Sequence, residues 1–217
     1  MKTKCVIFDL DGVLVDTVNS WLRIHQEAVE KFVKNPPSEK EVDRLVYTPT
    51  SEFVDRMLPR GSENREKIAT EMHNFIQNSM EKTSILKSIK AKEGAEHLLL
   101  SLKKKRIKIG VVTNNERRLA EKMLRHFTSI DIFDVIITKD DVENTKPHPE
   151  PLLKALKQLG CMPEDCLYVG DTEADIIAGK AASIKTVLID SKFSRNLNVK
   201  SDFKINKLMN ILTLVDH

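Results

Sequence analysis

Three carboxylates, Asp9, Asp11 and Asp16, fall within eight positions directly after the apolar run Cys5-Val6-Ile7-Phe8. Such a run reads as a buried strand, and carboxylates at its end need something to compensate their charge. Three further apolar runs end in polar groups. "IKIGVVTN" (107–114) leads to Thr113, Asn114 and Asn115. "FDVIITK" (133–139) leads to Asp140 and Asp141, with Lys146 shortly beyond. "CLYVGD" (166–171) leads to Asp171 and Asp175. In open parallel sheets ligands sit beyond the carboxyl ends of the strands, so parallel pairing would bring these groups to one edge. Carboxylates at that density repel one another and cannot all stay ionised without a cation. Oxygen-only ligands favour Mg2+, which takes few protein carboxylates and leaves room for phosphate oxygens. A phosphoryl group beside such a cation needs Thr113, backbone N–H groups and Lys146 on its other oxygens. A carboxylate can then attack phosphorus and form an aspartyl phosphate. Asp9 and Asp11, at i and i+2 of an extended strand, face the same way and can address one bound group.

The elements that must position these residues alternate. Helical patterns such as "GAEHLLLSLKKK", "ERRLAEKMLRHF", "PEPLLKALKQLG" and "EADIIAGKAAS" separate the apolar runs, and "KTVLID" (185–190) supplies another strand. That rhythm means parallel pairing through right-handed crossovers. Residues 4–9 add a strand, a short one near 202–205 sits at an edge, and a terminal helix starts at Lys207. Residues 16–90 differ. "TVNSWLRIHQEAVEKFVK" carries Val18, Leu22, Ala28 and Phe32 at helical spacing, with Asp16 as the cap of that helix. Ser38 and Glu41 have the spacing of a capping box opening a short helix. Helical patterns follow at 51–58 and 62–82, and strand signals are few. The chain therefore divides into an α/β core, residues 1–15 and 91–217, and an all-helical insert, residues 16–90. The core is a Rossmann-like parallel sheet in three α/β/α layers.

Composition bounds the partners. The 217 residues are 41% hydrophobic and 31% charged, with a formal net charge of +3. That is ordinary for a soluble protein and too weakly basic to argue for nucleic acid. The "KKKR" run at 103–106 reads as a solvated helix terminus, where cations favour the dipole. Cys5, Cys161 and Cys166 form no C-x-x-C and read as reduced structural cysteines of an intracellular protein. No segment approaches the ~18 apolar residues that a membrane span needs, so a cytoplasmic monomer or homodimer is expected. The six histidines share no spacing and read as surface or packing residues. "AGKAA" at 178–182 is not a P-loop, because position 174 is Ala rather than Gly and position 181 is Ala rather than Ser or Thr.

The ordered set "DLDGVLVDT", "VVTNN", "KPHPEP" and "GDTEAD" resembles the four motifs of the haloacid dehalogenase-like hydrolases, in the phosphoglycolate phosphatase-like branch with a helical cap. The resemblance spans essentially the whole chain. It implies that Asp9 is the nucleophile. It implies that Asp11 protonates the leaving oxygen and then deprotonates the hydrolytic water. Mg2+ would be held by Asp9, the backbone carbonyl of Asp11 and Asp171, with Asp175 a direct or water-mediated partner. Thr113 and the backbone of Asn114 would bind the phosphoryl group, Lys146 would neutralise it and the nucleophile, and Gly12 would permit the turn.

Within that family, Asp11 favours a phosphate leaving group that must be protonated. Sugar phosphomutases of the family carry a His twelve residues after the nucleophile, where this chain has Trp21, and an Arg in a cap loop, where it has "YTPTS" with Tyr47 and Thr50 nearest. Arg23, Arg44, Tyr47 and Arg56 are candidate cap contributors. Ser183, where relatives often place Gly, suggests a different helix end. The expected activity is Mg2+-dependent hydrolysis of a small phosphorylated metabolite, phosphoglycolate-like or a sugar phosphate. A β-phosphoglucomutase-like mutase is the alternative enzyme, and a catalytically idle member that binds a partner protein is the alternative of another class.

Overall fold

The computed structural model describes residues 3–46, 50–59, 61, 64–191, 194 and 197–216, apart from the side chains of Arg44 and Thr83. Tyr47, Ser62 and His217 lie outside the described residues. Eight strands occur among the described residues: β1 (Cys5–Phe8), β2 (Val15–Asp16), β3 (Lys90–Ala91), β4 (Lys108–Val112), β5 (Val135–Ile137), β6 (Cys166–Gly170), β7 (Lys185–Ile189) and β8 (Phe203–Ile205). Six of them form one sheet in the order β5-β4-β1-β6-β7-β8, and every pairing in it is parallel. In register, Cys5 is flanked by Lys108 and Cys166, and Phe8 by Val111 and Val169. The carboxyl ends of β1, β4 and β6 therefore lie side by side.

Burial on both faces explains why these strands are nearly continuous in apolar residues. Cys5, Ile7, Cys166 and Tyr168 join a cluster with Leu152, Ala155 and Leu156 of α8 (Glu150–Leu159) and with Ala178 of α9 (Glu173–Ala181). The alternate residues Val6, Phe8, Leu167 and Val169 point to the opposite face and are equally buried. Helix α6 (Ala95–Lys104) packs on β4 and buries Leu98, Leu99 and Leu102. The "KKKR" run ends α6 as a solvated terminus: Lys103 pairs with Asp134 and Lys105 with Asp216 at the surface. The expected terminal helix begins as a 3-10 turn, Leu208–Asn210, and becomes α10 at Ile211–Val215. Helix α7 (Arg117–Arg125) follows β4.

Two compact units result, Met1–Asp16 with Lys90–His217, and Thr17–Ile89. The second holds α1 (Val18–Phe32), α2 (Glu39–Leu45), α3 (Thr50–Met57), α4 (Arg65–Met80) and α5 (Thr83–Ser88). Ile24, Ala28, Phe53, Met72, Ile76 and Met80 are its fully buried centre. The Ser38–Glu41 capping box opens α2 as the spacing predicts.

Two sequence expectations change. Asp16 does not cap α1. It is exposed in β2, opposite Lys90 of β3, and Thr17 stands at the N-cap. This two-residue ribbon and α5 are too short to leave a periodic signal. Ser183 does not alter the end of α9 either. It adopts the left-handed conformation, φ 59°, that a glycine would. Its N–H reaches Lys180 O at 2.9 Å, and the Ile184 N–H reaches Gly179 O at 2.9 Å. These are the two bonds of a Schellman ending. No helix among the described residues is long and apolar enough to cross a membrane.

Candidate active site

The site is assembled where β1, β4 and β6 end. Asp9 follows β1, its N–H bonded to Val169 O at 2.9 Å, and is 6% exposed. The chain then turns through Gly12, with Gly12 N–H bonded to Val15 O at 2.8 Å. Gly12 has φ +72°, and a Cβ there would lie 2.2 Å from Asp171 Oδ2. Glycine is thus required twice, for the turn and for the approach of Asp171. After β6, Thr172 and Asp175 form a reciprocal capping box that opens α9 and fixes Asp175.

Lys146 is buried and spends three donors on protein oxygens: Asp9 Oδ1 at 2.7 Å, Asp175 Oδ1 at 2.7 Å and Val112 O at 3.3 Å. Burial alone would lower its pKa, but Asp175 and Asp9 outweigh that and raise it. Asn114 sets the Lys146 backbone. Its Nδ2 donates to Lys146 O at 3.0 Å, and its Oδ1 accepts from Lys146 N–H at 3.1 Å. Asp11 turns its carboxylate to Asn115, whose Nδ2 donates to Oδ2 at 2.5 Å. Thr113 is 3% exposed, and its hydroxyl oxygen accepts from the Asn115 N–H at 3.2 Å.

Among the described residues, Asp9, Asp171 and Asp175 bring carboxylate oxygens within 4.8 Å of one another. Their environments differ. Asp175 Oδ1 accepts from Lys146 and from the Tyr168 hydroxyl at 2.7 Å. Its Oδ2 accepts from Thr172 O–H at 2.6 Å, Thr172 N–H at 3.0 Å and Asp171 N–H at 3.3 Å. These donors use up the lone pairs of a carboxylate. Burial would raise the Asp175 pKa, but Lys146 and the hydrogen bonds hold it below the usual range. Asp171 is the opposite case, 1% exposed with neither oxygen within hydrogen-bond geometry of a donor among the described residues. Burial, Asp175 and Asp9 push its pKa well up, against a smaller opposing effect of Ser191. Asp9 is pushed up to about 7, by burial first, with Lys146 opposing and Asp175 and Asp11 adding. A buried carboxylate with two bare oxygens, beside a second charged acid, has the donor set and the electrostatic need of a hard divalent cation.

Asp140 and Asp141 do not join this group. Asp140 accepts from Arg117 N–H, and Asp141 from Thr138 and the Arg117 guanidinium, so both secure the turn after β5. Sequence reasoning passed over Tyr168, Thr172 and the reach of Asn115 to Asp11. Tyr168 had a signal, since a phenol in a strand buried on both faces needs a partner for its hydroxyl. The Thr172–Asp175 spacing is itself a capping-box pattern.

The model of the haloacid dehalogenase-like hydrolases matches residues 6–189, from β1 through β7. The pyrophosphatase PpaX of Halalkalibacterium halodurans is 33% identical over 190 residues, covering 87% of this chain and 84% of that one. A HAD-superfamily hydrolase of subfamily IA, variant 1, from Geobacter sulfurreducens superposes with a TM-score of 0.73 at 27% identity, covering 98% and 96% of the two chains. A β-phosphoglucomutase from Clostridium difficile gives 0.75 at 28%, covering 99% and 97%. With the buried acids and the lysine at the carboxyl edge of its parallel sheet, this chain belongs to the haloacid dehalogenase-like hydrolase family.

Proposed function

We propose that the chain is a Mg2+-dependent phosphatase acting on a small phosphorylated metabolite through an aspartyl phosphate on Asp9. The observation that carries this reading is the buried Asp9–Lys146 ion pair at 2.7 Å beside Asp171, both of whose oxygens lack hydrogen bonds among the described residues. Asp9, Asp171 and the backbone carbonyl of Asp11 would hold the cation, with Asp175 behind them. Bound Mg2+ supplies the positive charge that lets an anionic nucleophile meet an anionic phosphoryl group.

The remaining work falls to the chain. Lys146 keeps Asp9 oriented and charge-compensated. A carboxylate oxygen of Asp9 attacks phosphorus, the bond to the leaving oxygen breaks, and Asp11 gives that oxygen its proton. Asp11 then takes a proton from water, and the resulting hydroxide attacks phosphorus. Phosphate leaves and Asp9 is regenerated. Thr113 and the Asn114 N–H bind the phosphoryl oxygens. The kinship with PpaX makes inorganic pyrophosphate a substrate to place beside phosphomonoesters.

The test is phosphate release across a panel of phosphomonoesters, pyrophosphate and sugar phosphates, with Mg2+ and with chelator. Release should need Mg2+ and vanish in Asp9→Asn, and release that persists in that variant refutes the nucleophile. Turnover of a sugar phosphate only when its bisphosphate is supplied would instead make the chain a mutase.

A further inference from the structure

Tyr168 belongs to the buried cluster but has no part in the scheme above. It is 0% exposed, and a hydroxyl there is costly unless it finds a partner. It donates to Asp175 Oδ1 at 2.7 Å, the same oxygen that accepts from Lys146. The Lys146 ammonium also lies 6.0 Å from the centroid of the Tyr168 ring. Helix α9 holds the ring in place. At Gly179 a Cβ would come 3.2 Å from Tyr168 Cδ1 and 2.4 Å from Thr186 Cγ2, so only glycine lets the helix lie this close. A chain of contacts thus runs Tyr168–Asp175–Lys146–Asp9, and Lys146 is shared between two carboxylates at equal distances.

We infer that Tyr168 is a positioning residue: by donating to Asp175 it weakens that carboxylate's hold on Lys146 and keeps the ammonium on the nucleophile Asp9. Without the hydroxyl, Asp175 Oδ1 answers to Lys146 alone and draws it away from Asp9. This rests on the phosphatase reading for its catalytic consequence, while the geometry of Lys146 can be read apart from it.

The experiment compares wild type, Tyr168→Phe, Asp175→Asn and the double variant as Mg2+-loaded enzymes hydrolysing p-nitrophenyl phosphate. Tyr168→Phe keeps the ring and removes only the hydroxyl. Its kcat should fall about tenfold with KM within about twofold, the scale of one hydrogen bond to a charged group. In the Asp175→Asn background the same change should cost less than about twofold, because the two act through one path. A purely structural hydroxyl would shift thermal stability, leave the kcat of the folded enzyme intact and add to Asp175→Asn. Wild-type kcat in Tyr168→Phe, or the full loss in the Asp175→Asn background, overturns the inference. A crystal structure of Tyr168→Phe gives a readout independent of turnover. Lys146 Nζ should lie beyond about 3.5 Å from Asp9, outside hydrogen-bond range, and an unchanged ion pair overturns the inference. A wild type inactive on every phosphate compound sinks the phosphatase reading, and the Lys146 position still decides the role of Tyr168.

Discussion

Acidification should destabilise the helical unit through a single imidazole, His25. It is 1% exposed in α1, edge-on to Phe53 with ring centroids 4.4 Å apart, and near Trp21 at 5.5 Å. Its Nδ1–H donates to Trp21 O at 2.8 Å, and its Nε2 is buried with no hydrogen-bond partner among the described residues. Protonation would place an N–H and a charge in that apolar surrounding, and burial lowers the pKa from 6.5 to about 4. An unfolded chain takes up this proton near 6.5 and the folded chain does not, so stability is complete above 6.5 and falls as pH drops toward 4. At ~1.36 kcal/mol per pH unit of unmatched titration, the loss reaches about 2 kcal/mol by pH 5 and about 3 kcal/mol by pH 4. Against a total of roughly 5–15 kcal/mol, that is a large fraction. Trp21, the single tryptophan, lies in the same helix and reports the unit's unfolding in urea. The free energy should be measured near pH 7.5 and near pH 5 for wild type and His25→Asn, which retains a donor near the Nδ1 position. The carboxylates held low by their partners, Asp134, Asp141 and Asp202, lose that contribution only near and below 3.8. Asp9 and Asp171, held high, work in the opposite direction, and they are common to both proteins. The difference between the two slopes therefore isolates His25. Equal losses in wild type and His25→Asn would refute the argument.

Three further outcomes follow from particular contacts. Gly12→Ala places a Cβ 2.2 Å from Asp171 Oδ2 at φ +72°; Mg2+ affinity by calorimetry and phosphatase kcat should drop by roughly 10–100-fold, and near-normal Mg2+ binding would disprove the crowding. Asn115→Ala removes the donor held at 2.5 Å from Asp11 and should lower kcat about tenfold while leaving the thermal midpoint nearly unchanged. Ser183→Gly relieves a left-handed serine at φ 59° and should raise stability in urea by about 0.5–1 kcal/mol with activity intact; a loss of stability would show that the serine side chain outweighs its backbone strain.

Legibility followed the range of the forces involved. The parallel sheet was readable because strands buried on both faces must be apolar throughout, as Cys5–Phe8 and Cys166–Gly170 are. The convergence of Asp9, Lys146 and Asp171 was readable because parallel strands all end at one edge. What failed was local. Asp16 looks like a helix cap by type and place, yet two backbone pairs with the segment around Lys90 make it a strand residue. Asp140 and Asp141 sit at the correct edge, but both are claimed by Arg117 at the start of α7, a partner that only tertiary packing supplies, and Asp141 is also tied to Thr138 in a local capping box. Ser183 misled because tertiary context can impose a left-handed residue that propensity disfavours.

Three aspartates in one pocket face different tasks, and the number of donors around each separates them. Asp175 receives five hydrogen bonds, which fix it as an ionised anchor for Lys146 and leave no lone pair for a cation without the loss of one of them. Asp171 receives none among the described residues and is buried, a state costly for an anion and stable only with a positive ion or a proton. Asp9 stands between them, held by Lys146 at one oxygen, so it keeps its charge compensated while presenting a carboxylate that can react. Residue type made all three candidates for one role. Hydrogen-bond satisfaction separates the saturated Asp175, the bare Asp171 and the lysine-paired Asp9, and on the proposed mechanism these become anchor, ligand and nucleophile, so that moving a donor from Asp175 to Asp171 would disable the site without changing any of the three.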